Sequence, residues 1–290
     1  MKLSTTINFF LYEDKGDYSS YFKDLKRYAD LGFCCLDAIF CSAAAPFSPL
    51  RKENWKEWAK AIREEADRLG ITFVQTHLPY YNFCDPKTGI QDETEEWIRR
   101  SIVCTQILGA YWTVSHPATD FASSLIETSK EKNLLYFRRH LDFAKEHQVG
   151  ICMENMADFP EQGYPRSYCA SVEELRDLVL TLRQDYENVG ICWDFGHANL
   201  VYQDQVPCLE YLRDLIKVTH VHDNYGKEDE HKAPYLGTVN WEAILPVLKS
   251  CGYQGNFSYE VKRMRAEVPD QLQNSLWRHL RVVGEYLLSL

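Results

Sequence analysis

The sequence predicts an α/β protein that folds as a single (β/α)8 barrel, the TIM-barrel architecture, over residues 1–290. Eight short apolar runs alternate with eight amphipathic helical segments, and several of the runs are apolar on both faces. The glycine-rich first turn that marks an open doubly wound sheet does not occur. The length of 290 residues is normal for one barrel, and no segment has the composition of a linker, so we expect one domain.

The predicted strands are short apolar runs. They cover Leu3–Phe10, Phe33–Phe40, Ile71–His77, Tyr111–His116, Val149–Asn155, Val189–Asp194, Lys217–Asp223 and Asn256–Val261. The fifth and sixth runs, "VGICMEN" and "VGICWDF", are apolar on both faces, which is typical of a parallel sheet covered on both sides. These eight strands would form the wall of the barrel.

Helical patterns lie between and after these strands. They are "YSSYFKDLKRYADLG", "NWKEWAKAIREEADRLG", "TEEWIRRSIVCTQILG", "LLYFRRHLDFAKEHQ", "SVEELRDLVLTLR", "CLEYLRDLI", "NWEAILPVLKSCG" and "QLQNSLWRHLRVVGEYLLSL". Several end in a glycine suited to a helix C-terminus, such as Gly32 and Gly252. Ser171 and Glu174 have the spacing of a capping box. Eight right-handed βα units in this length favour a barrel.

The composition indicates a cytoplasmic protein. No uninterrupted apolar run is long enough to span a bilayer, and the N-terminus lacks the apolar core and cleavage site of a signal peptide. The 10 cysteines are scattered, mostly in apolar runs, and form no CxxC pair, so we expect buried thiols. The net charge of −10 argues against broad binding to polyanions, although a local basic patch could still bind one.

Six consecutive predicted strands carry an imidazole or a carboxylate at the carboxyl end. These side chains are His77, His116, Glu154, Asp194, His222 and Glu260, with His197, Asp229 and His231 in the loops after strands six and seven. A barrel directs these strand ends toward one centre. Glu154 and Glu260 stand in apolar strands, where an unpaired carboxylate is costly. Because few basic residues lie at these strand ends, a divalent cation is the simplest partner.

Two histidines end the seventh strand, in the stretch "THVHDNYGKEDEH" (Thr219–His231). We predict that His222 is a metal ligand and that His220 points away from the site. Asp229 and His231 are predicted either to hold a second metal or to bind substrate. The strand thus contributes one ligand to the predicted centre.

These residues resemble the xylose isomerase-like barrel superfamily of sugar and sugar-phosphate isomerases and epimerases, which also includes endonuclease IV. The motifs that carry the resemblance are "ENMA", "DFGHANL", "HVHDN", "DEH", "LGTVNWEAILPVLKSCGYQG" and "YEV". The resemblance implies one divalent metal, held by a set of four residues. These are Glu154, Asp194, His222 and Glu260. It also implies a small-molecule sugar or sugar phosphate as substrate, and a homo-oligomer is an open alternative.

The expected activity is that of a metal-dependent isomerase or epimerase of carbohydrate metabolism. Glu154 and Glu260 would remove and return a proton next to a carbonyl, while the metal stabilises the enediolate. Oxygen and nitrogen ligands together favour Mn²⁺ or Zn²⁺, with Co²⁺ or Mg²⁺ as alternatives. The residues expected to bind substrate are His77, His116, His197, Trp193 and Lys262. A lyase or dehydratase would use the same enolisation.

The resemblance leaves one alternative function open, a multi-zinc phosphodiesterase like endonuclease IV that acts on abasic DNA. Its additional metal ligands would be His77, His116, His197, Asp229 and His231. Two observations argue against it. The stretch "INFFLYEDKGDYSSYFKDLKRYADLGFCCLDAIF" lacks that enzyme's His-containing first strand and Gly-Gly turn, and "VKRMR" is a modest basic cluster. We therefore expect a sugar substrate, no nucleic acid and no membrane.

Overall fold

In a computed structural model, eight strands form one sheet. The structure describes residues 1–11, 17–87, 89–123, 126–159, 162, 165–261 and 268–290. The strands are β1 (Leu3–Ile7), β2 (Cys35–Ile39), β3 (Thr72–His77), β4 (Trp112–Ser115), β5 (Gly150–Glu154), β6 (Val189–Asp194), β7 (Ile216–His220) and β8 (Phe257–Tyr259). Their order in the sheet is β7-β6-β5-β4-β3-β2-β1-β8, with parallel pairing.

The two strands at the ends of this order, β7 and β8, are also joined to each other. Just past β7, Val221 forms a parallel bridge with Tyr259. The Val221 amide donates to the Ser258 carbonyl at 2.8 Å, and the Glu260 amide donates to the Val221 carbonyl at 3.0 Å. The parallel strands therefore close into a barrel, which confirms the predicted (β/α)8 fold class.

Nine α-helices lie in the described part of the chain. They are α1 (Ser19–Asp30), α2 (Trp55–Arg68), α3 (Asp92–Leu108), α4 (Ile126–Glu146), α5 (Val172–Leu182), α6 (Phe195–Val201), α7 (Val206–Leu212), α8 (Trp241–Ser250) and α9 (Asp270–Ser289). Each predicted helical segment overlaps one of them, α4 begins eight residues before its predicted segment, and α6 is an addition. Seven residues of α6 are too few to show a helical period in the sequence. No helix among these residues combines the length and apolar character needed to cross a membrane.

Most strands are shorter than predicted. The first ends at Ile7 rather than Phe10, and a 3-10 turn at Phe9–Leu11 follows it. The seventh ends at His220, and the chain beyond it makes isolated bridges in place of a continuous ladder. Apolar residues that continue past a strand end therefore extended these predictions too far, because burial continues where the ladder stops.

The chain divides into two compact units. We name residues 6–151 the N-terminal unit and residues 1–5 with 152–290 the C-terminal unit. The N-terminal unit has an aromatic core in which Phe9 meets Trp58 edge to face, with ring centroids 5.7 Å apart. In the C-terminal unit, Phe195 and Trp241 meet in the same way at 5.4 Å. The single domain expected over residues 1–290 remains a prediction.

The loop after β7 is organised by the buried carboxylate of Asp223. Its Oδ1 accepts the Val239 amide at 3.1 Å, and its Oδ2 accepts the Tyr235 amide at 3.0 Å and the Trp241 indole N–H at 2.9 Å. A Cβ on Gly237 would lie 2.2 Å from Asp223 Oδ1, so this approach requires glycine. The "HDN" and "GTVNW" motifs are therefore two parts of one hydrogen-bonded loop.

A glycine also allows α6 to pack against the residue that follows the end of β7 by two positions. A Cβ on Gly196 would lie 1.8 Å from Cε1 of the His222 ring. The Gly196 carbonyl accepts the side-chain amide of Asn224 at 2.8 Å, which ties α6 to the same loop. Gly196 therefore sets the distance between α6 and the His222 imidazole.

We predict that Gly196→Ala lowers the free energy of unfolding by about 1–3 kcal/mol through overpacking against His222. Alanine has the higher helix propensity, so a net loss would identify the clash as its cause. Chemical denaturation of Gly196→Ala, His222→Ala and the double variant measures the coupling. The cost of Gly196→Ala should be much smaller when His222 is absent. An equal cost in both backgrounds would contradict this assignment.

Candidate metal centre

Four buried side chains from the carboxyl ends of β5 to β8 form one cluster in the C-terminal unit. Glu154, Asp194, His220 and Glu260 each offer one ligand atom, and these atoms lie within 4.8 Å of one another. Glu260 is the most exposed of the four residues, at 3%. Three carboxylates and an imidazole are a donor set that suits a divalent transition-metal ion.

The Nδ1 atom of His220 faces all three carboxylates. It lies 2.7 Å from Glu154 Oε1, 3.4 Å from Glu260 Oε2 and 3.9 Å from Asp194 Oδ2. The prediction that His220 points away from the site is therefore wrong. Residues two apart in a strand share one face, and His220 is the member of the pair that stands at the strand end. The predicted ligand His222 lies outside this group of four.

A second group surrounds Asp229 in the same unit. His231 Nε2 lies 2.9 Å from Asp229 Oδ2, whereas His197 Nε2 and His222 Nε2 lie 3.8 and 3.7 Å from the two oxygens of Asp229. The rings of His222 and His231 stack with centroids 4.0 Å apart. His222 Nε2 also lies 3.0 Å from Asp194 Oδ1, so Asp194 connects the two groups.

Backbone carbonyls fix the tautomers of two histidines in the second group. His197 Nδ1 lies 3.0 Å from the Asn155 carbonyl, and His231 Nδ1 lies 2.7 Å from the Glu260 carbonyl. Because a carbonyl can only accept, each Nδ1 carries a proton, and each Nε2 faces Asp229. Metal-ligating histidines commonly donate their second ring N–H to such a carbonyl.

The charges of the second group stabilise one another. Burial alone would raise the pKa of Asp229, but hydrogen bonds from His197 and His231 hold that pKa well below its ordinary range. Burial likewise opposes the charged form of His197, yet the carboxylates of Asp194 and Asp229 raise its pKa well above the usual value. Asp229 therefore requires a positive charge beside it, from a protonated imidazole or from a cation.

Asn155 connects the ends of β5 and β6. The Asp194 amide donates to Asn155 Oδ1 at 2.7 Å, and Asn155 Nδ2 donates to the Asp194 carbonyl at 2.9 Å. The carboxylate of Asp194 accepts the His197 amide at 2.7 Å and caps α6. Asn155 is not among the predicted site residues, although its position directly after Glu154 in "ENMA" is a signal for such a role.

In the N-terminal unit, the ends of β3 and β4 bring the predicted residues His77 and His116 together. Their Nε2 atoms lie 3.2 Å apart. His77 Nδ1 lies 2.8 Å from the Leu78 carbonyl, so the proton is on Nδ1 and Nε2 is directed at His116. The ring of Tyr80 lies beside His116, with centroids 4.8 Å apart.

Two of the predicted substrate-binding residues, Trp193 and Lys262, are not among the side chains that the structure places at the candidate site. Trp193 is fully buried, and its indole N–H donates to Gln205 Oε1 at 3.1 Å. Side chains alternate along β6, so Trp193 points to the face opposite Asp194. Trp193 is therefore a core residue, which corrects its predicted role in substrate binding. Lys262 lies outside the described residues.

Curated proteins with similar sequences include one named enzyme. The 3-dehydro-D-guloside 4-epimerase of Escherichia coli is 33% identical over 90 residues, which are 31% of this chain and 32% of that protein. An uncharacterised protein of Methanocaldococcus jannaschii is 28% identical over 234 residues, 78% of this chain and 76% of that protein. An uncharacterised protein of Sinorhizobium fredii is 28% identical over 171 residues, 57% of this chain, and the match spans 51% of its length.

Solved structures share the fold. A D-tagatose 3-epimerase-like protein superimposes with a TM-score of 0.72 at 23% identity, over 99% of this chain and 100% of that chain. A D-psicose 3-epimerase superimposes with a TM-score of 0.73 at 13% identity, over 99% of both chains. Residues 25–280 match the family described as xylose isomerase-like TIM barrel. The chain therefore belongs to the xylose isomerase-like TIM barrel family.

Proposed function

We propose that this protein is a divalent-metal-dependent sugar or sugar-phosphate isomerase or epimerase that moves a proton next to a carbonyl. The observation that carries the proposal is the buried group of Glu154, Asp194, His220 and Glu260. Family membership supports it, as does the similarity to an Escherichia coli protein named 3-dehydro-D-guloside 4-epimerase. The proposal replaces His222 by His220 in the ligand set.

The donor atoms of this group fit a divalent cation. Three carboxylates so close together repel one another, and burial adds a cost for each charge. One cation held by their oxygens and by His220 Nδ1 would neutralise most of that charge. Mixed oxygen and nitrogen donors favour Mn²⁺ or Zn²⁺, with Co²⁺ or Mg²⁺ as alternatives. When bound, the cation would polarise the substrate carbonyl as a Lewis acid.

Glu154 and Glu260 are the proposed proton carriers. They come from β5 and from the end of β8, and both lie within 3.4 Å of His220 Nδ1. One carboxylate removes the proton, and the other returns it to the same or the opposite face; return to the opposite face of the same carbon inverts that centre. Asp194 is already held by the α6 amide, so we assign it to ligation alone. Loss of a β-hydroxyl after the same proton removal would make the enzyme a lyase.

Substrate binding falls to residues outside the four-residue group. We assign His197 to a substrate oxygen, as the family resemblance implies; its Nδ1 faces the Asn155 carbonyl, so Nε2 is the nitrogen assigned to this contact. We also keep His77 and His116, in the N-terminal unit, as predicted substrate-binding residues. Lys262 is the proposed contact for a phosphate group.

We predict that the enzyme incorporates deuterium at the carbon next to the carbonyl when ketoses and ketose phosphates are incubated in D₂O. Glu154→Gln and Glu260→Gln should each slow exchange by about a hundredfold or more, because glutamine keeps the shape but cannot accept the proton. Proton NMR measures the exchange as the loss of the signal of the proton on that carbon. Glu210→Gln, at an exposed glutamate of α7, is the matched control and should exchange normally. Full exchange in both site variants would contradict the assignment.

A second candidate function is a multi-zinc phosphodiesterase that acts on abasic DNA. The observation that favours it is the second group of metal-capable side chains around Asp229, in which the ligand atoms of His222, Asp229 and His231 lie within 4.8 Å of one another. Such a site would bind more than one metal ion per chain.

Metal content separates the two candidates. For the isomerase we expect about one tightly bound metal ion per chain, measured by inductively coupled plasma mass spectrometry. The metal content should be the same in Asp229→Asn. The exposed Asp214→Asn serves as the control variant. Two or three metals per chain, lost in Asp229→Asn together with cleavage of abasic-site DNA by the wild type, would contradict the isomerase and favour the phosphodiesterase.

A further inference from the structure

A buried carboxylate in the N-terminal unit forms a hub that the proposed chemistry does not use. Glu95, in the first turn of α3, is 7% exposed. Its Oε1 accepts the hydroxyls of Tyr81 and of Tyr136, the latter at 2.9 Å. Its Oε2 lies 2.8 Å from Arg139 Nη2 and 3.1 Å from His140 Nε2. Four side chains from a loop and a second helix thus converge on one carboxylate.

The Glu95 carboxylate is ionised in this setting. Burial alone would raise its pKa, but the hydrogen bonds from His140 and Tyr81 lower the pKa to about 2. A buried ion of this kind is rarely the most stable choice, because apolar residues of the same volume often pack as well or better. The hub is therefore better explained by the geometry it imposes than by its contribution to stability.

Three of the hub residues come from one face of α4. Tyr136, Arg139 and His140 are spaced by three and four positions, so they lie side by side on the helix. The ring of Tyr136 also stacks on Phe83 at a centroid distance of 3.6 Å. Helix α4 thereby provides a rigid base for the loop between β3 and α3.

That loop carries Tyr80 and Tyr81, which contact different partners. Tyr81 reaches Glu95, whereas the ring of Tyr80 lies 4.8 Å from the ring of His116. Tyr80 remains 44% exposed, so its ring covers His116 on one side and faces solvent on the other. An anchor at Tyr81 therefore limits how far Tyr80 can move from His116.

We propose that Glu95 is a positioning residue that acts through Tyr81 to hold Tyr80 against His116. The rings of Tyr80 and His116 then keep one relative position, in which they would contact the substrate. This inference rests on the proposed function, because that proposal assigns His116 to substrate binding. Its structural part, the cover on His116, can be tested without any substrate.

The test compares two variants, each of which removes one of the two tyrosine hydroxyls that donate to Oε1 of Glu95. Tyr81→Phe releases the loop, whereas Tyr136→Phe leaves the loop anchored and keeps the ring stacked on Phe83. Acylation of His116 by diethyl pyrocarbonate, followed by peptide mass spectrometry, reports the cover provided by Tyr80. The exposed His279 serves as the internal reference.

We expect His116 to react several-fold faster in Tyr81→Phe and at the wild-type rate in Tyr136→Phe, with metal content unchanged in both. For a ketose identified by deuterium exchange, Tyr81→Phe should raise KM by about tenfold with little change in kcat, because a released loop must be ordered when the substrate binds, and the lost hydrogen bond to a charged group limits that cost. Equal His116 reactivity in the two variants would overturn the positioning role. Absence of exchange with every ketose would refute the proposed function alone, since the acylation rates still decide the inference.

Discussion

Three carboxylates buried side by side are the constraint on which the C-terminal unit depends. Glu154, Asp194 and Glu260 are drawn from three different strands, and each loses hydration on folding. Their mutual repulsion could be avoided by apolar residues, yet the structure adds further polar groups that hold them in place. Asn155 ties two of the strand ends together, and His220 faces all three oxygen groups. The proposed divalent cation would account for this arrangement, because it would offset the repulsion among the three carboxylates.

Much of the family's characteristic sequence supports the site without touching the proposed cation. The "GTVNW" motif supplies Gly237, which allows close approach to Asp223, and Trp241, which donates to that carboxylate. The resulting loop carries Asp229 and His231. Gly196, in "DFGH", leaves room for the His222 ring. These residues act through packing and hydrogen bonds, and they determine where the ligands stand.

The sequence predicted the fold well because each strand of a covered parallel sheet is a short apolar run, although apolar residues past the strand ends made most of the predicted strands too long. It did not indicate that His220, rather than His222, faces all three carboxylates. They lie two positions apart with Val221 between them, so strand alternation would place both on one face, and the one that reaches the carboxylates depends on where β7 ends. The sequence does not mark that end, because Val221 and His222 continue the mixed apolar and polar pattern of β7. The prediction that Trp193 binds substrate was wrong for a related reason. Trp193 directly precedes Asp194 in β6, so its side chain lies on the face of the strand opposite Asp194.

The most direct test of the central claim is the metal content of His220→Ala beside that of His222→Ala. Both variants are purified alike, equilibrated with Mn²⁺, and analysed for bound metal per chain. The structure predicts that His220→Ala loses the ion, because Nδ1 of His220 faces all three carboxylates. His222→Ala should retain it. Retention in His220→Ala with loss in His222→Ala would contradict this account and place the ligand two residues further along the chain.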